Sequence, residues 1–80
     1  MNCSVYKGKL IYDHFLFVEN ENDFSRVPNE LLTLLGDLQH VINFDLHPDR
    51  KLAQANTRVV IDALNLEGYY LQLPPKEKLN

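Results

Sequence analysis

The sequence is short of the residues that small proteins use as staples. It has one cysteine, Cys3, and no tryptophan among its 80 residues. A single cysteine excludes an internal disulfide and every cysteine-rich zinc motif. A chain of this size buries only about 60–65% of its unfolded surface, so its margin of stability is thin. That margin must come from an apolar core, with self-association as a further source. No run of about 18 apolar residues occurs, so no segment reads as a membrane span. The N-terminus has no long apolar core of the signal-peptide kind, and a reduced, cytoplasmic setting is the expectation. Cationic charge is scarce too: eight Lys and Arg stand against eleven Asp and Glu, a net charge of -3. A general nucleic-acid binder needs a basic face for phosphates, and this balance argues against one.

What is present is the composition of an ordinary globular protein, 45% hydrophobic and 24% charged. One domain is expected over residues 1–75, with a charged tail, 76–80, that frays. Asn2 to Lys7 alternates, with Cys3 and Val5 on one face and Ser4 and Tyr6 on the other, as a short strand does. Lys7-Gly8-Lys9 reads as a turn, and Leu10 to Val18 as a second strand forming an antiparallel hairpin with the first. Phe15, Leu16, Phe17 and Val18 are apolar on both faces, which predicts a strand covered from two sides.

Pro28 suits a first helical position, and Glu30 follows in the turn where the helix dipole favours a carboxylate. Val27, Leu31, Leu34 and Leu35 give that helix its apolar stripe, and Gly36 ends it. Gln39 to Leu46 alternates again, placing Ile42, Phe44 and Leu46 on one face. A second helix is expected from the cap Asn56 through Glu67, with Val59, Ile61 and Leu66 widening a stripe of Val60, Ala63 and Leu64. Gly68 closes it. Tyr69 to Leu73 then reads as a buried strand, stopped by Pro74 and Pro75, which lack the N–H a ladder needs. This last strand is the expected centre of the fold. The predicted order is β-β-α-β-α-β: an α+β sandwich with a four-stranded mixed sheet, each helix bridging neighbouring parallel strands. Periodicity does not say whether the helices share a face.

Two stretches carry a family resemblance. Asp23-Phe24-Ser25-Arg26-Val27-Pro28, followed by Leu31-Leu32 and Gly36, resembles the central signature of the bacterial YcgL domain. Gly68-Tyr69-Tyr70-Leu71-Gln72-Leu73-Pro74-Pro75 resembles its closing motif, and Pro48-Asp49-Arg50-Lys51-Leu52-Ala53 its intervening segment. The likeness spans Tyr6 to Pro75. It implies a compact α/β sandwich in a cytoplasmic bacterial protein and, for a domain of uncharacterised function, no catalytic residues. Many relatives extend beyond the proline pair, whereas this chain stops five residues later. Where that extension forms a covering layer, part of this sheet is expected to lie open to a partner.

Candidate chemistry is sparse. Asp45, His47 and Asp49, with Arg50, leave a strand end together, and carboxylates beside an imidazole can serve acid–base work or hold a divalent metal. Polar residues crowd turns for structural reasons, and the favoured reading of this cluster is a polar turn in which Asp49 or Asp45 satisfies local backbone N–H groups. Cys3 sits in a strand with nothing electropositive beside it, as a small hydrophobe would. Ser4 and Ser25 lack the glycine-flanked elbow of a hydrolase.

Phe24 and Arg26 can bind a carboxylate or peptide, or else cap the core and pair with a nearby acid. Tyr69 and Tyr70 point to opposite faces, and one of them is free for a groove or interface. The function expected is thus a non-catalytic interaction module binding an unknown protein or itself through Phe24, Arg26, Tyr70, Gln72 and a sheet edge, with no cofactor. The alternatives are a small hydrolase, metal-dependent or acid–base, using Asp45, His47 and Asp49, and an RNA-associated accessory factor.

Overall fold

A computed structural model describes residues 1–52 and 55–74. Its elements are β1 (Asn2–Gly8), β2 (Phe15–Val18), α1 (Asn29–Leu35), β3 (Leu38–Asp45), α2 (Thr57–Leu66) and β4 (Tyr69–Gln72). The expected element order is the one found. Ala53, part of the intervening segment, Pro75 of the proline pair and the tail Lys76–Asn80 lie outside the described residues.

The four strands form one sheet in the order β3-β1-β2-β4, and every neighbouring pair is antiparallel. The expectation of a mixed sheet is corrected. The helices do not join adjacent strands: α1 carries the chain from β2 across β1 to β3, and α2 carries it from one edge to the other. Strands β2 and β3 do run parallel, but β1 lies between them.

Alternation along β1 decides where the helices go. Cys3 and Val5 point to one face, where they join Phe17, Leu46 and the α2 residues Val60 and Leu64 in a buried cluster. Tyr6 points to the other, with Leu16, Val18, Val27 and the α1 residue Leu35. The helices therefore lie on opposite faces, and β2 is covered from both sides as its composition predicts. Leu16, Leu35, Leu46, Leu64, Val18 and Val60 are almost fully buried. A side chain of that kind contributes about 1.5–3 kcal/mol over leaving it in water, so these few carry much of a small domain's stability.

Three expectations fail for a packing reason. Gly8 is the last residue of β1, not a turn, because a Cβ there would meet Leu35 O at 2.7 Å. The chain beyond β1 is then held against the α1–β3 connection by Lys9 N–H to Asp37 O and Leu10 N–H to Leu35 O, both 3.0 Å. Residues 10–14 therefore leave the sheet, and β2 starts only at Phe15. Second, β4 is a half-buried edge strand, and the centre belongs to β1 and β2. Third, the stripes are narrower than expected: Leu34, Val59 and Leu66 are exposed, since each helix meets the sheet along one narrow line.

Both ends of α2 are built as the sequence suggests. Asn56 Oδ1 accepts from Arg58 N–H at 3.0 Å and Val59 N–H at 3.4 Å, satisfying two first-turn donors. Gly68 takes φ 87°, the left-handed conformation that ends a helix without a Cβ penalty.

Candidate binding surface

Helix α2 has ten residues and so spans about 15 Å. Strand β1, seven residues long, covers about 23 Å. The helix is shorter than the face it packs on. Beside it lies an apolar groove of about 290 Å³, whose walls come from Val5 on β1, Phe15 and Phe17 on β2, and Val41, Ile42 and Phe44 on β3. Leu52 and Gln72 complete it. The register puts Val5 opposite both Phe17 and Ile42, and Phe15 opposite Gln72, so the groove runs across all four strands. Among the described residues, its one polar wall residue is Gln72.

The residues that sequence reasoning grouped into one surface divide between two places. Tyr70 packs edge-on against Phe17, ring centroids 5.7 Å apart, on the groove's face. Gln72 stands in the groove wall. Phe24 instead packs edge-on against Tyr6 at 4.8 Å, among the side chains beneath α1. Arg26 donates to Leu66 O at 2.9 Å rather than pairing with an acid. Its guanidinium satisfies a carbonyl left open at the C-terminal end of α2, where the dipole favours a cation.

The turn residues are placed apart. The Asp45 carboxylate receives the N-terminal ammonium at 3.2 Å. His47 and Asp49 are exposed, and the Arg50 guanidinium lies 4.6 Å from the centroid of the Phe44 ring. Among the described residues, no three His, Cys, Asp or Glu side chains converge on a point where a metal ion could sit. Cys3 is buried within the α2-side cluster, and burial pushes its thiol up to about 11. At neutral pH it is therefore protonated and shielded.

A polar constellation went unnoticed in the sequence. Ser4 Oγ donates to Asn43 Oδ1 at 2.6 Å, and His40 Nε2 lies 2.7 Å from the same oxygen. Asn43 Nδ2 donates to Glu21, and Asn22 N–H donates to Tyr6 Oη at 2.7 Å. Ser4 is buried, yet its hydroxyl faces an amide oxygen, which is not a base that could take its proton. The network fastens the loop after β2 across β1 to β3. Only the pairing Ser4↔Asn43 brings it together, and no local pattern announces that pairing.

The chain matches the family model of the YcgL domain over residues 3–75. It belongs to the YcgL domain family. A YcgL domain-containing protein of Aeromonas salmonicida is 44% identical over 75 residues, 94% of this chain and 82% of that protein. Another, from Cellvibrio japonicus, is 44% identical over 94% of this chain and 76% of its own length. A protein of Nitrosococcus oceani named as a putative HAD-like hydrolase is 46% identical over 76 residues. There the match spans 95% of this chain but 20% of the relative. In this YcgL domain the first signature motif leaves β2 and enters α1, and the second forms the α2 stop and β4. Arg26 and Gly68 join the two. Among the described residues, no helix is long and apolar enough to cross a membrane.

Proposed function

We propose that this YcgL domain is a non-catalytic interaction module that binds a protein partner in the groove beside α2. The observation that carries this reading is the groove itself, whose described walls are apolar in all but Gln72 and lie beyond the short helix. Concave apolar surfaces of this kind accept an amphipathic helix or an apolar side-chain anchor. The Nitrosococcus relative adds support, because its matching segment is joined to a much longer chain. A domain that occurs both joined to other sequence and in shorter proteins suits a binding role. The hydrolase name belongs to that whole protein, four fifths of which lies outside the match.

The test is a capture experiment with immobilised wild-type domain and a Phe15→Lys variant, using an extract of the source cell. Species retained reproducibly by the wild type and lost by an equally folded variant support the reading. Equal retention by both, or no retention by the wild type, overturns it.

A further inference from the structure

The two edges of the sheet are built differently. β4 has four residues and runs directly toward Pro74, the devices by which natural edges avoid pairing. β3 has eight residues and contains neither proline nor lysine. Its one carboxylate, Asp45, stands at its end beside the N-terminal ammonium. Val41 and Ile42, in mid-strand, are each 49% exposed.

The backbone of β3 says which groups face outward. Leu46 N–H donates to Met1 O at 2.7 Å, so the polar groups of Leu46 point toward β1. Direction alternates along an antiparallel ladder. Those of Phe44 and Ile42 therefore also point inward, and those of Asn43 and Asp45 point away from the sheet. A register shift opposite Val5 and Tyr6 leaves Val41 as the extra residue, and regular strand runs from Ile42 to Asp45. Within it Ile42 and Phe44 face the groove side.

We propose that the domain pairs with a second copy of itself along β3, antiparallel and centred on Asn43. This rests on the reading of the domain as an interaction module and adds to the groove a second contact, the β3 edge, with a second copy as its partner. Residues opposite one another in an antiparallel pair share a face, so Asn43 opposite Asn43 sets Ile42 of each copy against Phe44 of the other. That is an apolar, β-branched-to-aromatic pair on the groove side. The two outward Asn43 peptide groups exchange both hydrogen bonds at the two-fold axis. Asp45 falls opposite Val41, so no like charges meet. The Asn43 side chain is already held by Ser4 and Glu21 on the other face and stays out of the seam. Because the axis is normal to the sheet, both grooves lie on the same side and adjoin through their Ile42 and Phe44 walls.

The experiment combines sedimentation over a concentration series with amide hydrogen exchange read residue by residue. The expected result is a doubling of mass with concentration, with the Asn43 amide slowed by at least about tenfold in the dimer. The Ile42 and Phe44 amides, already bonded to β1, should not change. Asn43→Pro removes an outward N–H without touching the β1 ladder and should leave a monomer. Ile42→Lys, which sets an ammonium in the seam, should do the same. A monomer at every concentration, or a dimer whose Asn43 amide exchanges as in the monomer, overturns the proposal. Slowing of Asn43 only when a different protein is added overturns self-pairing too, while leaving the interaction reading intact.

Discussion

Arg26 lies across Gly68. A Cβ built on that glycine would come within 2.5 Å of Arg26 Cδ and 2.7 Å of its Cβ, while the guanidinium holds Leu66 O at 2.9 Å. One motif closes α2 and the other supplies the arm that seals it. Gly68→Ala should cost about 1–3 kcal/mol, because it combines a disfavoured backbone with a displaced arginine. Arg26→Ala should cost about 0.5–1.5 kcal/mol for the lost hydrogen bond. The double variant should be less destabilised than the sum, since losing Cδ and the guanidinium relieves part of the clash while the Cβ contact stays. Urea unfolding of the four proteins checks this, and strict additivity would show that the residues do not interact.

Gly8 tests how closely α1 approaches the sheet. A methyl there meets a backbone oxygen and two Leu35 side-chain carbons within 3.0 Å. Gly8→Ala should therefore destabilise by about 1–3 kcal/mol, as overpacking of a dense interior does. A neutral effect in the same unfolding measurement would mean that α1 sits farther out.

The Asn43 network gives a graded prediction. Asn43→Ala removes the acceptor that satisfies the buried Ser4 hydroxyl and should cost about 1–3 kcal/mol. His40→Ala removes an exposed partner and should cost distinctly less. Equal costs in thermal or chemical unfolding would show that Ser4 does not depend on Asn43.

Cys3 should make stability fall at alkaline pH. Its folded thiol is raised by burial from the ordinary 9.0 to about 11. Above pH 9 the unfolded thiol releases its proton while the folded one keeps it, so unfolding becomes easier. This contribution is whole below about pH 9 and is lost as pH rises toward 11, by about 2–3 kcal/mol in all. Cys3→Ala should flatten that part of the stability curve relative to wild type. Parallel curves would show that the thiol does not titrate in this way.

Much of this fold is legible in local sequence, and what is not legible is long-range. Asn56, Gly68 and Pro28 mark helix ends because their chemistry acts on adjacent backbone. Asn56 and Gly68 stand where the sequence suggests, and Pro28 stands just before the first helical residue, Asn29, as the N-cap rather than in the first helical position. The two-sided apolar character of Phe15 to Val18 likewise predicts a strand with a layer on each face. The sheet order escapes such reasoning, since nothing local tells α1 to carry the chain past β1. Gly8 shows the same limit: a glycine that looks like a turn is needed for contact with Leu35. The candidate surface was half legible. Gln72 stands in the groove wall and Tyr70 on the same face against Phe17, but Phe24 and Arg26 are engaged by Tyr6 and Leu66, partners distant in sequence. Of the groove's remaining walls, which looked like ordinary core positions, Val5 is buried, Phe15 is half-buried and Ile42 is exposed beyond the reach of the short α2.

The most direct measurement is the affinity of wild type and Phe15→Lys for a protein captured on the domain, by binding isotherms beside an unfolding curve for each. Phe15 stands in the groove wall, away from the β3 edge. Replacing this aromatic wall residue with a charged one should weaken binding by about 30-fold or more. Unchanged affinity in a folded Phe15→Lys protein would show that the partner binds elsewhere.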